Sequence, residues 1–170
     1  MRLALLLSLA AALGGCGYHV AGHTDLLPKT IKTIAVPAWS NNTTRYKLTD
    51  RIPDAIAREI LTRTHYKVVS ESEMPDAVLR GSVISYAANA TIFDPVRSRA
   101  TGVQLRVVMQ MSFTEKATGK VLVNRPNFEV QERYEISIDP GQYFEESDAA
   151  LDRVSQQVAR QVVSAILENF

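Results

Sequence analysis

An alternation of apolar and polar side chains over residues 103–114 restricts the fold of this chain more than any other feature. Every second position is apolar, and these positions are Val103, Leu105, Val107, Met109, Met111 and Phe113. The intervening positions are polar apart from Val108, and they include Gln104, Arg106, Gln110, Ser112 and Thr114. Because successive side chains of a strand point to opposite faces, this period of two predicts an antiparallel strand with one buried and one wetted face.

The flanking sequence predicts four further strands. They cover residues 31–36, 66–70, 77–93 and 121–138, with residues 116–120 as a hairpin turn and residues 37–44 as a loop. Gly81 is expected to bend the third of these strands, and Pro126 is expected to break the last one. The order strand, helix, strand over residues 31–70 predicts a βαβ unit with parallel strands.

Two helices are predicted from apolar residues at helical spacing. In the first, Leu48, Ile52, Ile56 and Ile60 form one stripe, with Thr49 or Asp50 as its cap, Pro53 in its first turn and its end near Thr64. The second covers roughly residues 145–169 and carries acidic residues in its first turn.

These elements predict an α+β fold over residues 31–170. Each helix has one apolar stripe, and the central strand has one apolar face. We therefore expect a two-layer sandwich in which two helices pack on one face of a mixed four- to five-stranded sheet, forming a single domain. The other face of the sheet is expected to meet water or a partner.

The N-terminus has the pattern of an exported lipoprotein. Arg2 precedes an apolar run over residues 3–13, which is long enough for a secretory signal and too short to cross a membrane. The run ends in Leu13-Gly14-Gly15-Cys16, which resembles the bacterial lipobox. We therefore expect a signal peptide at residues 1–15, lipidation of Cys16 by N-acyl (palmitate) and S-diacylglycerol groups, and a tether over residues 16–30. Gly17 after the cysteine favours the outer membrane, facing the periplasm.

Composition and motifs exclude several functions. Nineteen Lys and Arg balance eighteen Asp and Glu, which argues against a nucleic-acid-binding surface. The single cysteine excludes an intrachain disulfide and a cysteine-rich zinc site. His19 and His23 are four residues apart but lie in the tether, so no metal or cofactor is expected, and His65 is expected to end the first helix.

No residue pattern indicates an enzyme. The chain contains no Gly-x-Ser-x-Gly elbow and no glycine-rich phosphate loop. A set of acidic residues near the last helix is explained by helix capping rather than by paired-carboxylate catalysis, and it consists of Glu135, Asp139, Glu145, Glu146 and Asp148.

Basic residues concentrate around the central strand. Residues 95–114 contain no acidic residue but include Arg97, Arg99 and Arg106, and the following turn carries Lys116 and Lys120. Arginine pairs bidentately with phosphates and carboxylates. These residues are therefore either a solvated surface or a contact for anionic lipid or a partner.

Several segments resemble the lipopolysaccharide-assembly lipoproteins of the LptE family. The resemblance begins with Cys16-Gly17-Tyr18-His19-Val20, Leu27-Pro28 and residues 31–37, and continues through residues 48–51, 57–60 and 77–81. Each motif is short, and their order and spacing over the mature chain carry the resemblance.

The resemblance implies a non-catalytic subunit of the outer-membrane lipopolysaccharide translocon. Such proteins plug a β-barrel partner of LptD type, help it assemble, and assist delivery of lipopolysaccharide to the outer leaflet. A porin-type lumen is polar, which suits a plug with a polar sheet face. The resemblance implies lipopolysaccharide binding at Arg97 and Arg99, and Lys116 and Lys120 are included as further candidates. A second basic region of the family has no counterpart at residues 140–144 of this chain.

Two other functions remain open at this point. One is a generic periplasmic scaffold or ligand-binding lipoprotein of another envelope complex. The other is a lipid-anchored hydrolase, which would need a nucleophile and base that the sequence does not display.

Overall fold

The computed structural model describes residues 27–95, 99–135 and 143–168. These residues contain six strands and two α-helices. In chain order the elements are β1 (Thr33–Ala35), β2 (Ser40–Asn41), α1 (Leu48–Arg63), β3 (Lys67–Val69), β4 (Ala77–Asp94), β5 (Arg99–Glu115), β6 (Val121–Glu135) and α2 (Tyr143–Leu167). A short 3₁₀ turn, Glu71–Glu73, connects β3 to β4.

The strands form one mixed sheet in the order β3-β1-β4-β5-β6, and β2 pairs with β4 beside β1. β1 is parallel to both β3 and β4, whereas β4, β5 and β6 are antiparallel. The predicted α+β class, the mixed sheet and the parallel βαβ unit are confirmed. The sheet has one strand more than predicted, because Ser40 and Asn41 in the predicted loop pair with Ser82 and Val83 of β4.

The predicted alternation decides which face of the sheet is buried. All six apolar residues of the pattern are buried, and Val107, Met109 and Phe113 are fully enclosed. They share one core with the apolar stripes of both helices, including Ile52 and Val158. The intervening polar residues of β5 lie on the opposite face, which the helices leave open.

The two helices run side by side in the same direction. Near their N-termini, Lys47 Nζ donates to Asp148 at 2.7 Å, and near their C-termini Arg63 donates to Ser164 Oγ at 3.1 Å. Both pairs are separated by 101 residues, so the helices stay in register along their length. This arrangement defines a turn end, where both helices end and residues 116–120 connect β5 to β6. The opposite side, toward which both helices and β5 have their N-termini, is called the loop end.

The start of α1 differs from the prediction. The helix begins at Leu48, and Lys47 precedes it without a side-chain cap, so the caps predicted at Thr49 or Asp50 are wrong. Pro53 consequently lies in the second turn, where its missing N–H leaves the carbonyl of Thr49 without an intrahelical donor. The backbone N–H of Trp39 donates to that carbonyl at 3.3 Å. The carbonyl that Pro53 leaves free therefore binds the β1–β2 connection to the helix.

Gly81 allows the ring of Trp39 to pack against the backbone of β4, and it does not bend the strand as predicted. A Cβ at this position would lie 2.4 Å from two ring atoms of Trp39, which is only 1% exposed. The register of β4 with β5 shifts instead between Val83 and Ser85 and twice more on either side of Ile92. The predicted break at Pro126 is wrong, because β6 continues through this residue, and the proline lies instead in a bulge. The β5–β6 register shifts there, since Met109 pairs with Phe128 and Met111 pairs with Arg125.

The packed domain begins before residue 31. Leu27 is buried in the core, and Thr30 Oγ1 donates to Glu115 Oε1 at 3.1 Å. The tether predicted for residues 16–30 is therefore too long by its last four residues. Within the described ranges, no helix has the length and hydropathy needed to cross a membrane.

The contact between Gly81 and Trp39 predicts that Gly81→Ala destabilises the fold by about 1–3 kcal/mol, because the added methyl group overpacks the core. The measurement is urea unfolding followed by circular dichroism, which does not depend on the single tryptophan of the chain. In a Trp39→Leu background the same substitution should cost much less, since the ring is absent. Equal costs in both backgrounds would refute the steric explanation.

Asp76 connects β1 to β4 through one carboxylate oxygen. Its Oδ2 accepts hydrogen bonds at 2.8 Å from the backbone N–H groups of Lys32 and Thr33 and from Thr33 Oγ1. The bond from Lys32, followed by those from Thr33, holds the pKa of the Asp76 carboxyl below its ordinary value. The charged carboxylate therefore favours the folded state.

Replacing Asp76 with Asn should lower the free energy of unfolding at pH 7 by about 1–2 kcal/mol, since charge-assisted hydrogen bonds are lost at a partly exposed site. A lowered folded-state pKa stabilises the fold above the unfolded-state pKa, and this contribution disappears as the pH falls through the folded-state value. The difference from the wild type should therefore shrink below about pH 4. Asp54→Asn, at an exposed position of α1, is the control, and a pH-independent difference at Asp76 would contradict the assignment.

Candidate functional site

The basic residues predicted to bind lipopolysaccharide do not form one cluster. Arg97 lies outside the described residues, and Arg99 is the first residue of β5 at the loop end. Lys116 and Lys120 are exposed in the turn after β5. At about 3.3 Å per residue, the 17 residues of β5 separate Arg99 from Lys116 by about 50 Å. A ligand headgroup at the start of β5 therefore does not reach the two lysines.

The turn that carries the two lysines has a defined shape. Gly119 has a positive φ of 70°, and its N–H donates to the carbonyl of Glu115 at 3.0 Å. Glu115 is 9% exposed and accepts hydrogen bonds from Thr30 and Thr118. The turn thus exposes Lys116 and Lys120, and the nearby Glu115 carboxylate already accepts hydrogen bonds from the two threonines.

The face of the sheet that the helices leave open carries a network of polar side chains. Gln104 Nε2 donates to Gln131 Oε1, and Gln131 Nε2 donates to Glu129. Arg106 Nε lies 3.4 Å from Glu129 Oε1. Further outward residues are Arg80, Gln110, Ser112, Asn124 and Arg133. Such a face presents many hydrogen-bonding groups and few apolar ones to whatever covers it.

The bulge at Pro126 opens a depression on each side of the sheet. On the open face the depression measures about 470 Å³ and is lined mainly by hydroxyl and amide side chains, including Ser82, Gln110 and Asn124. On the helix side a groove of about 400 Å³ runs between β6 and the C-terminal half of α2, over Met111 and Phe128. Both volumes lie within the range of small-ligand pockets.

Of the five acidic residues near α2, one has a structural role in the described residues, and three have side chains that are not described. Asp148 accepts from Lys47 and Arg51, and the hydrogen bond from Lys47 contributes most to lowering the pKa of its carboxyl. Glu135 is exposed at the end of β6, and the side chains of Glu145 and Glu146 are outside the description, as is Asp139. Asp148 therefore joins the two helices.

The loop end also carries an aromatic and cationic contact that sequence reasoning missed. The guanidinium of Arg45 lies 5.1 Å from the ring centre of Tyr86. Burial raises the pKa of the Tyr86 hydroxyl, and the neighbouring Arg45 partly opposes this increase. Tyr46 beside it is 75% exposed. No sequence spacing relates residues 45 and 86, so only the fold reveals this contact.

In the part of the chain that is described, no three His, Cys, Asp or Glu residues converge. His19, His23 and Cys16 lie outside that part. His65 is exposed after α1, and its ring centre lies 4.5 Å from that of Tyr66.

Solved structures with a similar fold include three proteins described as lipoproteins. A candidate lipoprotein from Caulobacter crescentus shares 13% identity and a TM-score of 0.56, covering 82% of this chain and 88% of its own. A minor lipoprotein from Acinetobacter baumannii has 13% identity and a TM-score of 0.53, covering 84% and 95%. Rare lipoprotein B from Shewanella oneidensis has 14% identity and a TM-score of 0.53, covering 80% and 94%.

These identities are low, so the likeness establishes the fold alone. A search of curated protein sequences finds no match. The family model described as "LptE: Lipopolysaccharide-assembly" matches residues 31–166, which is most of the chain. The chain therefore belongs to the LptE family of lipopolysaccharide-assembly proteins.

Proposed function

We propose that this protein is a non-catalytic outer-membrane lipoprotein that plugs the lipopolysaccharide-translocating β-barrel and helps that barrel to assemble. Membership of the LptE family over residues 31–166 is the observation that supports this function most directly. The proposal includes a signal peptide at residues 1–15 and a lipid anchor on Cys16.

The open sheet face suits the wall of a polar channel. Gln104, Arg106 and Gln131 offer donors and acceptors on a surface that the two helices leave uncovered. The lumen of a large outer-membrane barrel is polar, and a plug inside it exchanges hydrogen bonds with water for hydrogen bonds with the wall. We propose that this face contacts a barrel of LptD type.

Arg97 and Arg99 are proposed to contact lipopolysaccharide. Arg99 begins β5, at the far end of this strand from the turn carrying Lys116 and Lys120, and Arg97 is two residues earlier in the sequence. Arginine forks bind phosphate groups in two-point contacts, which suits the anionic groups of lipopolysaccharide.

Charge reversal on the open sheet face tests the barrel contact. The variant Gln110→Glu with Arg133→Glu should reduce recovery of the barrel from detergent-solubilised outer membrane by at least about tenfold, because unpaired charges are costly in an interface. The matched control is Gln156→Glu with Arg160→Glu, which changes the net charge by the same amount at two exposed positions of α2. Thermal unfolding of both variants checks that the fold survives.

Equal recovery of the barrel with both variants would remove the sheet face from the interface. Recovery of the wild-type lipoprotein without any barrel would contradict the plug function itself. Depletion followed by staining of surface lipopolysaccharide separates this function from a generic scaffold, which predicts no loss of staining.

The arginine proposal predicts that Arg97→Glu with Arg99→Glu weakens lipopolysaccharide binding by at least about tenfold. Each charge-assisted hydrogen bond contributes about 1.5–3 kcal/mol, so the loss of one is enough for this change. The matched control is Lys116→Glu with Lys120→Glu, which makes the same charge change at the turn end and should leave specific binding close to the wild-type value. Binding is measured with immobilised lipopolysaccharide at two salt concentrations. Equal losses in both variants would indicate a nonspecific charge effect.

A further inference from the structure

Five of the six lysines of the chain lie together at the turn end. They are Lys29, Lys32, Lys67, Lys116 and Lys120, and all of them are exposed. We refer to these five residues as the lysine cluster. The sixth, Lys47, lies at the loop end and is paired with Asp148 at 2.7 Å. These residues are far apart in the sequence and lie at one end of the folded domain.

Backbone hydrogen bonds fix the positions of the cluster. The N–H of Lys67 donates to the carbonyl of Lys32 at 3.0 Å, because β3 starts level with β1. Asp76 joins this pair to the turn, since its Oδ2 accepts from the N–H of Lys32 and its carbonyl accepts from the N–H of Lys116, both at 2.8 Å.

The remaining two lysines are held by the neighbouring Glu115. Its N–H donates to the carbonyl of Lys120 at 2.9 Å, and its Oε1 accepts from Thr30, the residue that follows Lys29. The cluster is therefore a property of the rigid sheet end and not of a single loop.

The cluster carries an excess of positive charge. Among the described residues, no carboxylate forms an ion pair with any of the five ammonium groups. Two carboxylates at this end, Asp76 and Glu115, accept hydrogen bonds from backbone and hydroxyl groups, and Lys32 also interacts electrostatically with Asp76. Five exposed cations above two satisfied anions form an electropositive surface that attracts an extended anionic partner.

We propose that the lysine cluster rests on anionic phospholipid headgroups of the membrane leaflet that holds the Cys16 lipid, an inference that rests on the proposed lipid anchor. Leu27, buried beside the cluster, is eleven residues from Cys16, so the chain between them spans at most about 40 Å. The anchor therefore keeps the turn end near that leaflet.

Lysine chemistry suits a fluid anionic surface. Its ammonium group is a compact charge on a flexible stem, whereas the planar fork of arginine matches a fixed phosphate or carboxylate. A basic side chain near an anionic membrane increases binding about fivefold by electrostatics alone. The lipid chain supplies the attachment, and the cluster sets which end of the domain faces the headgroups.

Acetylation footprinting of the full-length lipidated protein tests this orientation. The protein is reconstituted into vesicles of phosphatidylcholine alone or of phosphatidylcholine with phosphatidylglycerol, and then exposed briefly to the uncharged reagent acetic anhydride. Mass spectrometry should show that acetylation of the lysine cluster falls at least about threefold in the anionic vesicles, because anionic headgroups cover and hold these ammonium groups. Lys47 serves as the internal control and should be unchanged.

Two variants refine the measurement. Lys67→Gln, Lys116→Gln and Lys120→Gln together should abolish most of the protection at Lys29 and Lys32. Arg58→Gln, Arg125→Gln and Arg160→Gln remove the same charge at other exposed positions and should leave that protection intact. Salt should reverse the protection in the wild type, since exposed charges are screened.

Equal acetylation of the lysine cluster in both vesicle types would overturn the inference, as would equal protection of Lys47. Protection by added lipopolysaccharide but not by phosphatidylglycerol would identify a different ligand and also overturn it. Failure of the protein to float with phosphatidylcholine vesicles would instead contradict the lipid anchor of the proposed function, so the two failures are distinguishable.

Discussion

The burial of one face of the β4–β5–β6 sheet is the constraint on which the rest of the structure depends. The alternating residues of β5 supply the centre of a core that both helices cover, and Phe113 and Met109 are completely enclosed. A one-residue slip of β5 would turn these side chains toward water. The same alternation commits every intervening residue to the open face, so the polar surface proposed to meet the barrel follows from the packing of the core.

The parallel arrangement of the helices gives the domain two different ends. Lys47, Arg51 and Asp148 join the helices where both begin, and Arg63 bonds to Ser164 where both end. Each helix therefore presents its N-terminus at the loop end and its C-terminus at the turn end. The clustered lysines lie at the same end of the domain as the C-termini of both helices, where the helix dipoles are negative.

Local patterns in the sequence were sufficient to predict the strands, both helices, the mixed sheet and its wetted face. Periodicity reports which residues share a face, and Val107 or Ile56 can be assigned to the core on that basis. Other features depended on contacts between distant segments. The strand pairing of Ser40 with Ser82 and the stacking of Trp39 on Gly81 have no local signal, because each partner alone is an ordinary residue.

The candidate site shows the same limit. Nearness along the chain suggested that Arg99 and Lys116 act together, but a 17-residue extended strand separates them. Conversely, Lys32, Lys67 and Lys116 are far apart in sequence and meet because three strands start or end at one edge of the domain. Within one strand, the number of residues between two positions gives their separation in space. Between different elements, the number of intervening residues says little about how far apart they lie.

The length of β5 relates the two ends of the domain to the membrane. About 50 Å separates the lysine cluster from the start of β5, whereas the hydrocarbon core of a bilayer is about 30 Å thick. If the domain is held at its turn end by the proposed Cys16 anchor and the lysine cluster, with β5 directed into the proposed barrel, Arg99 would lie beyond the midplane of the membrane. The proposed lipopolysaccharide contact would then face the leaflet opposite to the one that holds the proposed anchor. The distance along β5 between Arg99 and Lys116, which rules out one site formed by both residues, is what this orientation requires.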